Sequence, residues 1–212
     1  MMNKNLGPLT IMGFARYEKN EDVKTEELIE ACLNWRREFL ATQSGIALHC
    51  FLGNLKGQFA DAIMAVDGAA LEQMSKNHPE AQSSQAFMSL LKQETITLTS
   101  NTLLKDNVIA PSSFSCIEFG TFKTKPNTDF SESEMLKVSG AIEAEYLAKF
   151  SEPREHIMGR VSDDTYSEIA FVETLGSARE ICNGYLADAT CQKLLDMFDL
   201  ETTDLDFWYV LA

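Results

Sequence analysis

The chain has 212 residues, 45% of them hydrophobic and 24% charged, which is ordinary for a soluble globular protein and long enough for one large core or two small ones. A net charge of −14 leaves no basic footprint, so nucleic acid and anionic membranes are not expected as partners. The opening "MMNKNLGPLTIMGF" lacks the apolar core of a signal peptide, no apolar run approaches a membrane span, and the five cysteines are odd in number without a C-x-x-C, so a cytoplasmic protein with reduced thiols is expected.

In chain order, residues 8–18 are β-rich. Residues 24–43 place Leu28, Cys32, Trp35 and Phe39 on one helical stripe. Residues 45–53 and 57–66 read as two strands joined by the turn "NLKG". Residues 68–78 and 82–91 read as a helix interrupted at Pro79. "ETITLTSNTLL" (94–104) is β-branched and alternating, and reads as a strand. The second half repeats the order. It has a strand at 113–124, a helix at 131–150 opened by the capping box Ser131–Glu134, a hairpin across Asp163–Asp164, a helical stretch interrupted near Gly184, and a last strand in "DLDFWYVLA".

The order is thus β-α-β-β-α-β twice, with a polar break at 105–113. At a constant separation of 107 residues, Leu28 matches Met135, Trp35 matches Ile142, His49 matches His156, Phe59 matches Tyr166 and Asp61 matches Glu168. Internal duplication is therefore expected, with units at 1–107 and 108–212. The fold class expected is α+β, with tandem ferredoxin-like units. Their two antiparallel four-stranded sheets would close into a pseudo-dimeric barrel with the helices outside. Such a chain completes its own barrel as a monomer, or pairs weakly with a second copy.

The segment 57–91 resembles the signature region of the dimeric α+β barrel superfamily, the antibiotic-biosynthesis-monooxygenase-like group. Phe59, Asp61, Leu71, Pro79 and Phe87 carry the match, and Tyr166, Glu168, Phe171 and Ala178 repeat it in the second half. The resemblance implies a ligand site between sheet and helices. It also implies activities that range from cofactor-independent oxygenation of aromatic or quinone-like molecules to haem degradation, lactone isomerisation and no established activity. In haem-degrading members a histidine on the helix after the third strand binds iron. His78 falls several residues before that place and the second half has no equivalent, so no cofactor is expected.

The catalytic candidates are His49 and His156, whose imidazoles titrate near neutrality and suit general-base work. Arg16, Trp35, Phe59 and Tyr166 are candidate ligand contacts, Arg16 for an oxygen and the rings for a planar molecule. Each of these also has an ordinary reading as core or solvated surface, as do Glu38 and Glu145. On strand alternation, Ala47 and Phe51 should share the face of His49, and Arg154 and Met158 that of His156. His49 and Cys50 point to opposite faces, and no metal-ligand spacing is present. No phosphate loop, G-x-G-x-x-G, nucleophile elbow or H-E-x-x-H occurs. The expected partner is a small apolar or aromatic molecule. Two readings stand: a cofactor-independent monooxygenase of an aromatic or quinone-like substrate, or a non-catalytic ligand-binding or stress-associated barrel protein. Unequal pairs such as Trp35/Ile142 suggest at most one working pocket.

Overall fold

A computed structural model describes residues 1–212, which divide into two compact units, Met1–Ala110 with Val210–Ala212, and Pro111–Tyr209. Unit 1 contains β1 (Met2–Asn3), β2 (Ile11–Tyr17), α1 (Thr25–Glu38), β3 (Ile46–Gly53), β4 (Phe59–Ala65), α2 (Gly68–Asn77), α3 (Gln82–Met88) and β5 (Thr97–Leu103). Its strands lie in the order β1-β3-β4-β2-β5, and these neighbours pair antiparallel. Without the short β1, which the sequence did not suggest, this is a ferredoxin-like sheet.

The local chemistry explains the elements. β3 and β4 are buried at every position, so apolar residues occupy both faces and no alternation shows. Between them Asn54 Oδ1 accepts from the amides of Lys56 and Gln58, and Gly57 takes φ +81°, closing the hairpin. The Asp67 side chain caps α2 by accepting from Ala70 N at 2.7 Å. Pro79 sits in a tight turn (His78–Glu80) that separates α2 from α3.

Unit 2 contains β6 (Cys116–Thr124), α4 (Glu132–Ala141), β7 (Pro153–Arg160), β8 (Thr165–Val172), α5 (Leu175–Tyr185), α6 (Ala189–Leu195) and β9 (Phe198–Val210), with β6 flanked by β8 and β9, and β8 followed by β7. Ser131 caps α4, accepting from Glu134 N at 3.3 Å. Beyond Ala141 the helix widens into one π turn, Ile142–Tyr146. The gap between α5 and α6 begins after Gly184–Tyr185. At Gly184 an added Cβ would clash with the Tyr146 hydroxyl, which donates to the carbonyl of Ile181. No helix is long and apolar enough to cross a membrane.

Candidate functional site

In unit 1 the helices cover the face of the sheet that carries the odd-numbered residues of β2 and β4. Tyr17, Ala15, Asp61 and Ile63 lie there, and pairing of His49 with Ile63 and of Phe51 with Asp61 places both β3 residues on the same face. A bulge between Ile46 and Leu48 corrects one sequence expectation. Ile46, not Ala47, pairs with Ala65 and joins the apolar cluster with Phe51 and Ile63.

The site is a chain of four side chains. Arg36, from α1, donates from Nε to His49 Nδ1 at 2.9 Å. His49 Nε2 lies 2.7 Å from Asp61 Oδ1, and the Tyr17 hydroxyl donates to Asp61 Oδ2 at 2.6 Å. The arginine contact sets the tautomer. Nδ1 accepts, so Nε2 carries the proton and donates to Asp61. His49 is fully buried, and burial is the main cause that holds its pKa below the usual value; the Arg36 cation adds to this while Asp61 opposes it. Tyr17 is buried too, and burial plus the adjacent Asp61 pushes its phenol well up, so it stays protonated.

Asp61 and Tyr17 border a cavity of about 230 Å³, walled otherwise by Ser75, His78 and apolar groups that include Trp35, Ile63, Met74, Phe87 and Leu91. A neighbouring hollow of about 360 Å³ shares Ala15, Asp61, Ile63, Met74, Ser75 and Leu98 with it, and extends past Gly13 and Gly68. Trp35 stacks on Phe87 with centroids 5.2 Å apart, and its ring also meets the edges of His49 and His78. Burial lowers the His78 pKa, so that imidazole is neutral at pH 7.

The ligand atoms of Cys32, His49 and Asp61 lie within 4.8 Å of one another, close enough for one metal ion. The hydrogen bonding opposes that use. Arg36 keeps the proton on His49 Nε2, the nitrogen that faces Asp61, and brings a buried positive charge beside the cluster. Cys32 instead makes a long contact of 3.9 Å to Asp61 Oδ1.

Of the residues singled out in the sequence, Trp35 lines the cavity. His49 reaches the wall only through Asp61. Arg16 alternates with Ala15 and Tyr17 and so lies on the other face of β2. Phe59 is stacked on Phe51 in the core, with centroids 5.8 Å apart. Tyr17 and Asp61 were not among the site residues expected from the sequence, and Arg36 was considered there only as a cation for an anionic ligand, whereas it binds His49. The available signal was Asp61 and Glu168 at one register in otherwise apolar strands, where a carboxylate needs a partner.

In unit 2 the corresponding space is filled. His156 Nε2 lies 2.8 Å from Glu168 Oε1 and its Nδ1 lies 3.4 Å from Glu143 Oε1, while Tyr185 donates to Glu168 at 2.6 Å. Only about 20 Å³ remains among Glu118, His156, Glu168 and Tyr185. That is room for about one water molecule. Tyr166 donates to Glu132 and packs on Phe130, away from this cluster. Glu38 and Glu145 are exposed, paired with Arg37 and Thr190.

No protein-family model matches the chain, and no curated protein matches it in sequence. Solved structures do match in shape. A Fusobacterium nucleatum protein provisionally assigned as a monooxygenase superposes with a TM-score of 0.67 at 13% identity, covering 97% of this chain and 94% of its own. An anthrone oxidase-like protein gives 0.61 at 13% identity, covering 96% and 92%. A haem-binding protein of Thermus thermophilus gives 0.63 at 10% identity, covering 99% and 93%. Likeness at such identities establishes the fold. The chain is an α+β protein of tandem ferredoxin-like units and shares its fold with these structures.

Proposed function

We propose that unit 1 binds a small planar aromatic molecule and oxygenates it without a cofactor, and that unit 2 supports the fold without a ligand. The observation that carries this reading is the apolar, aromatic-walled cavity ending on a buried Tyr17–Asp61 pair, with Arg36 and His49 behind it. In such chemistry an activated ring CH₂ and O₂ give a ring carbonyl and water, and the substrate supplies all the electrons. The protein supplies a dry cavity and a place for the substrate's proton.

A phenolic O–H directed at the Tyr17 oxygen can pass its proton there as Tyr17 passes its own to Asp61 Oδ2. Tyr17 then donates to the new substrate anion, which is stabilised where its charge forms. His49 and Arg36 do not touch substrate in this scheme. They are positioning residues that fix the carboxylate of Asp61 and balance its charge.

Haem, which one structural neighbour binds, does not suit this cavity. No lysine or arginine lines either hollow to meet the propionates, and Asp61 and Glu72 would face them. No step is assigned to it. The test is thermal stabilisation by anthrone and naphthols, followed by oxygen uptake. A ligand at 100 times its Kd should add about 2.7 kcal/mol. Oxygen consumption that Asp61→Asn lowers about 100-fold, with binding retained, supports the proposal. Stabilisation without uptake favours the second reading, a non-catalytic binding protein, which draws support from the complete burial of His49.

A further inference from the structure

We infer that the inner end of the unit 1 cavity selects aromatic ligands that donate a hydrogen bond, phenols and aromatic amines, over ligands that only accept one, such as ethers, quinones and carboxylates. This rests on the reading of that cavity as the ligand site, and it adds the class of ligand. Tyr17 has one hydroxyl hydrogen, and it is spent on Asp61 Oδ2 at 2.6 Å. Asp61 Oδ1 already receives His49 at 2.7 Å. Ser75, shared by both hollows, gives its hydrogen to the carbonyl of Leu71 at 3.0 Å. The indole N–H of Trp35 has no partner, but it is covered by protein atoms and opens onto no water-sized space.

What remains facing the inner cavity are lone pairs. A carboxylate offers about four acceptor positions and a phenol oxygen two, so Asp61 and Tyr17 together still accept. Both residues are 3% exposed, and a ligand oxygen without a hydrogen placed against them would be desolvated with no donor to meet it. A ligand carboxylate fares worse, because no cation lines either hollow and the protein's field is negative. His78, also on the wall, is neutral and keeps one N–H. A carbonyl elsewhere on the ligand can use it, but the Tyr17–Asp61 end cannot supply one. The reduced phenolic form of a substrate would then be held and its quinone-type product released.

The test uses four ligands with one ring system: 2-naphthol, 2-naphthylamine, 2-methoxynaphthalene and 2-naphthoate, titrated calorimetrically at pH 7 into the full chain and into Ala15→Leu, which fills the cavity. The naphthol and the amine should bind about tenfold or more tightly than the ether, and the carboxylate should bind weakest. All four should lose affinity in Ala15→Leu. Asp61→Asn, which puts an N–H₂ at the inner end, should shrink the naphthol-to-ether ratio below about threefold. Should that variant not fold, Tyr17→Phe, which uncovers a lone pair on Asp61, should keep the ratio. Equal affinity for naphthol and ether, lost in Ala15→Leu, overturns the donor selection and leaves the cavity as the binding site. No binding by any of the four overturns both.

Discussion

The two units place a histidine at the same register, 12 residues before a buried carboxylate, and leave it neutral in one and charged in the other. In unit 1 the second neighbour of the imidazole is Arg36; 107 residues on, in the π turn of unit 2, it is Glu143. His49 is neutral because burial and a cation oppose its proton. His156 is just as enclosed, but its hydrogen bonds to Glu143 and Glu168 outweigh burial and push its pKa up to about 9. The cavities differ for a related reason. Where β2 carries Gly13 opposite Ile63, β6 carries Glu118 opposite Ala170, and that side chain occupies space that unit 1 leaves open. One framework thus yields a neutral relay beside a hollow, and a filled ionic knot. The identity of the residue beside the histidine, more than the histidine itself, decides which.

The largest effect should come from breaking the knot. Glu168→Gln leaves the His156 imidazolium short of its closer carboxylate, and the loss of one partner of a buried pair costs about 3–5 kcal/mol. Urea unfolding at pH 7 measures this. The same variant at pH 10 should cost less, because the imidazole is then neutral in both states. An equal cost at both pH values would mean that the contact is only a packing contact.

The next effect is on the parent chain. A histidine whose folded pKa is about 9 and whose unfolded pKa is about 6.5 stabilises fully below pH 6.5 and loses that stability as pH rises to 9, about 3 kcal/mol in all. Glu118, which burial and the nearby Glu168 push up to about 8, changes stability in the same direction between its unfolded value and pH 8. His49 does the reverse. Its lowered pKa means that the unfolded chain protonates first, so stability falls as pH drops below about 6.5. Urea midpoints across pH 5–10 should show both slopes, and a flat profile above pH 6.5 would rule out the charged His156.

Exchanging the neighbour tests the comparison directly. Arg36→Glu gives His49 the setting of His156, so its pKa should move from below 6.5 to above it. A change of one unit corresponds to about 1.4 kcal/mol. NMR titration of the imidazole carbons follows this. A histidine that stays low would show that enclosure, and not the adjacent charge, controls the difference.

Much of this architecture was legible in the residues. The stripe Leu28–Cys32–Trp35–Phe39 marked α1, Pro79 marked the break between α2 and α3, and the spacing of His49 and His156 marked matching strands. What alternation could not give was the bulge at Ile46–Leu48, since an unpaired residue shifts the faces before it without changing the pattern after it. Nor could it give the relay. Arg36 and Tyr17 sit in elements distant along the chain from Asp61, and only the packing of α1 on the sheet brings the guanidinium to His49. Helix periodicity puts Arg36 next to the Trp35 stripe, and the same position reads equally well as a solvated edge.

The smallest effect concerns how unit 2 holds Glu143 in place. Gly140 lies in α4 just before the π turn that carries Glu143, and at the same register α1 has Leu33. A Cβ at Gly140 meets nothing within 4 Å, so its absence is not required by packing. Gly140→Ala should therefore raise stability by about 0.5–1 kcal/mol, because alanine restricts the unfolded chain and favours helix. If the π turn is held by Ile142 and Tyr146, both buried, the pKa of His156 in this variant stays at about 9. If instead the variant is destabilised and the His156 pKa drops, the freedom of the glycine backbone is what lets the helix widen. The charged state of His156 would then depend on a residue that never touches it.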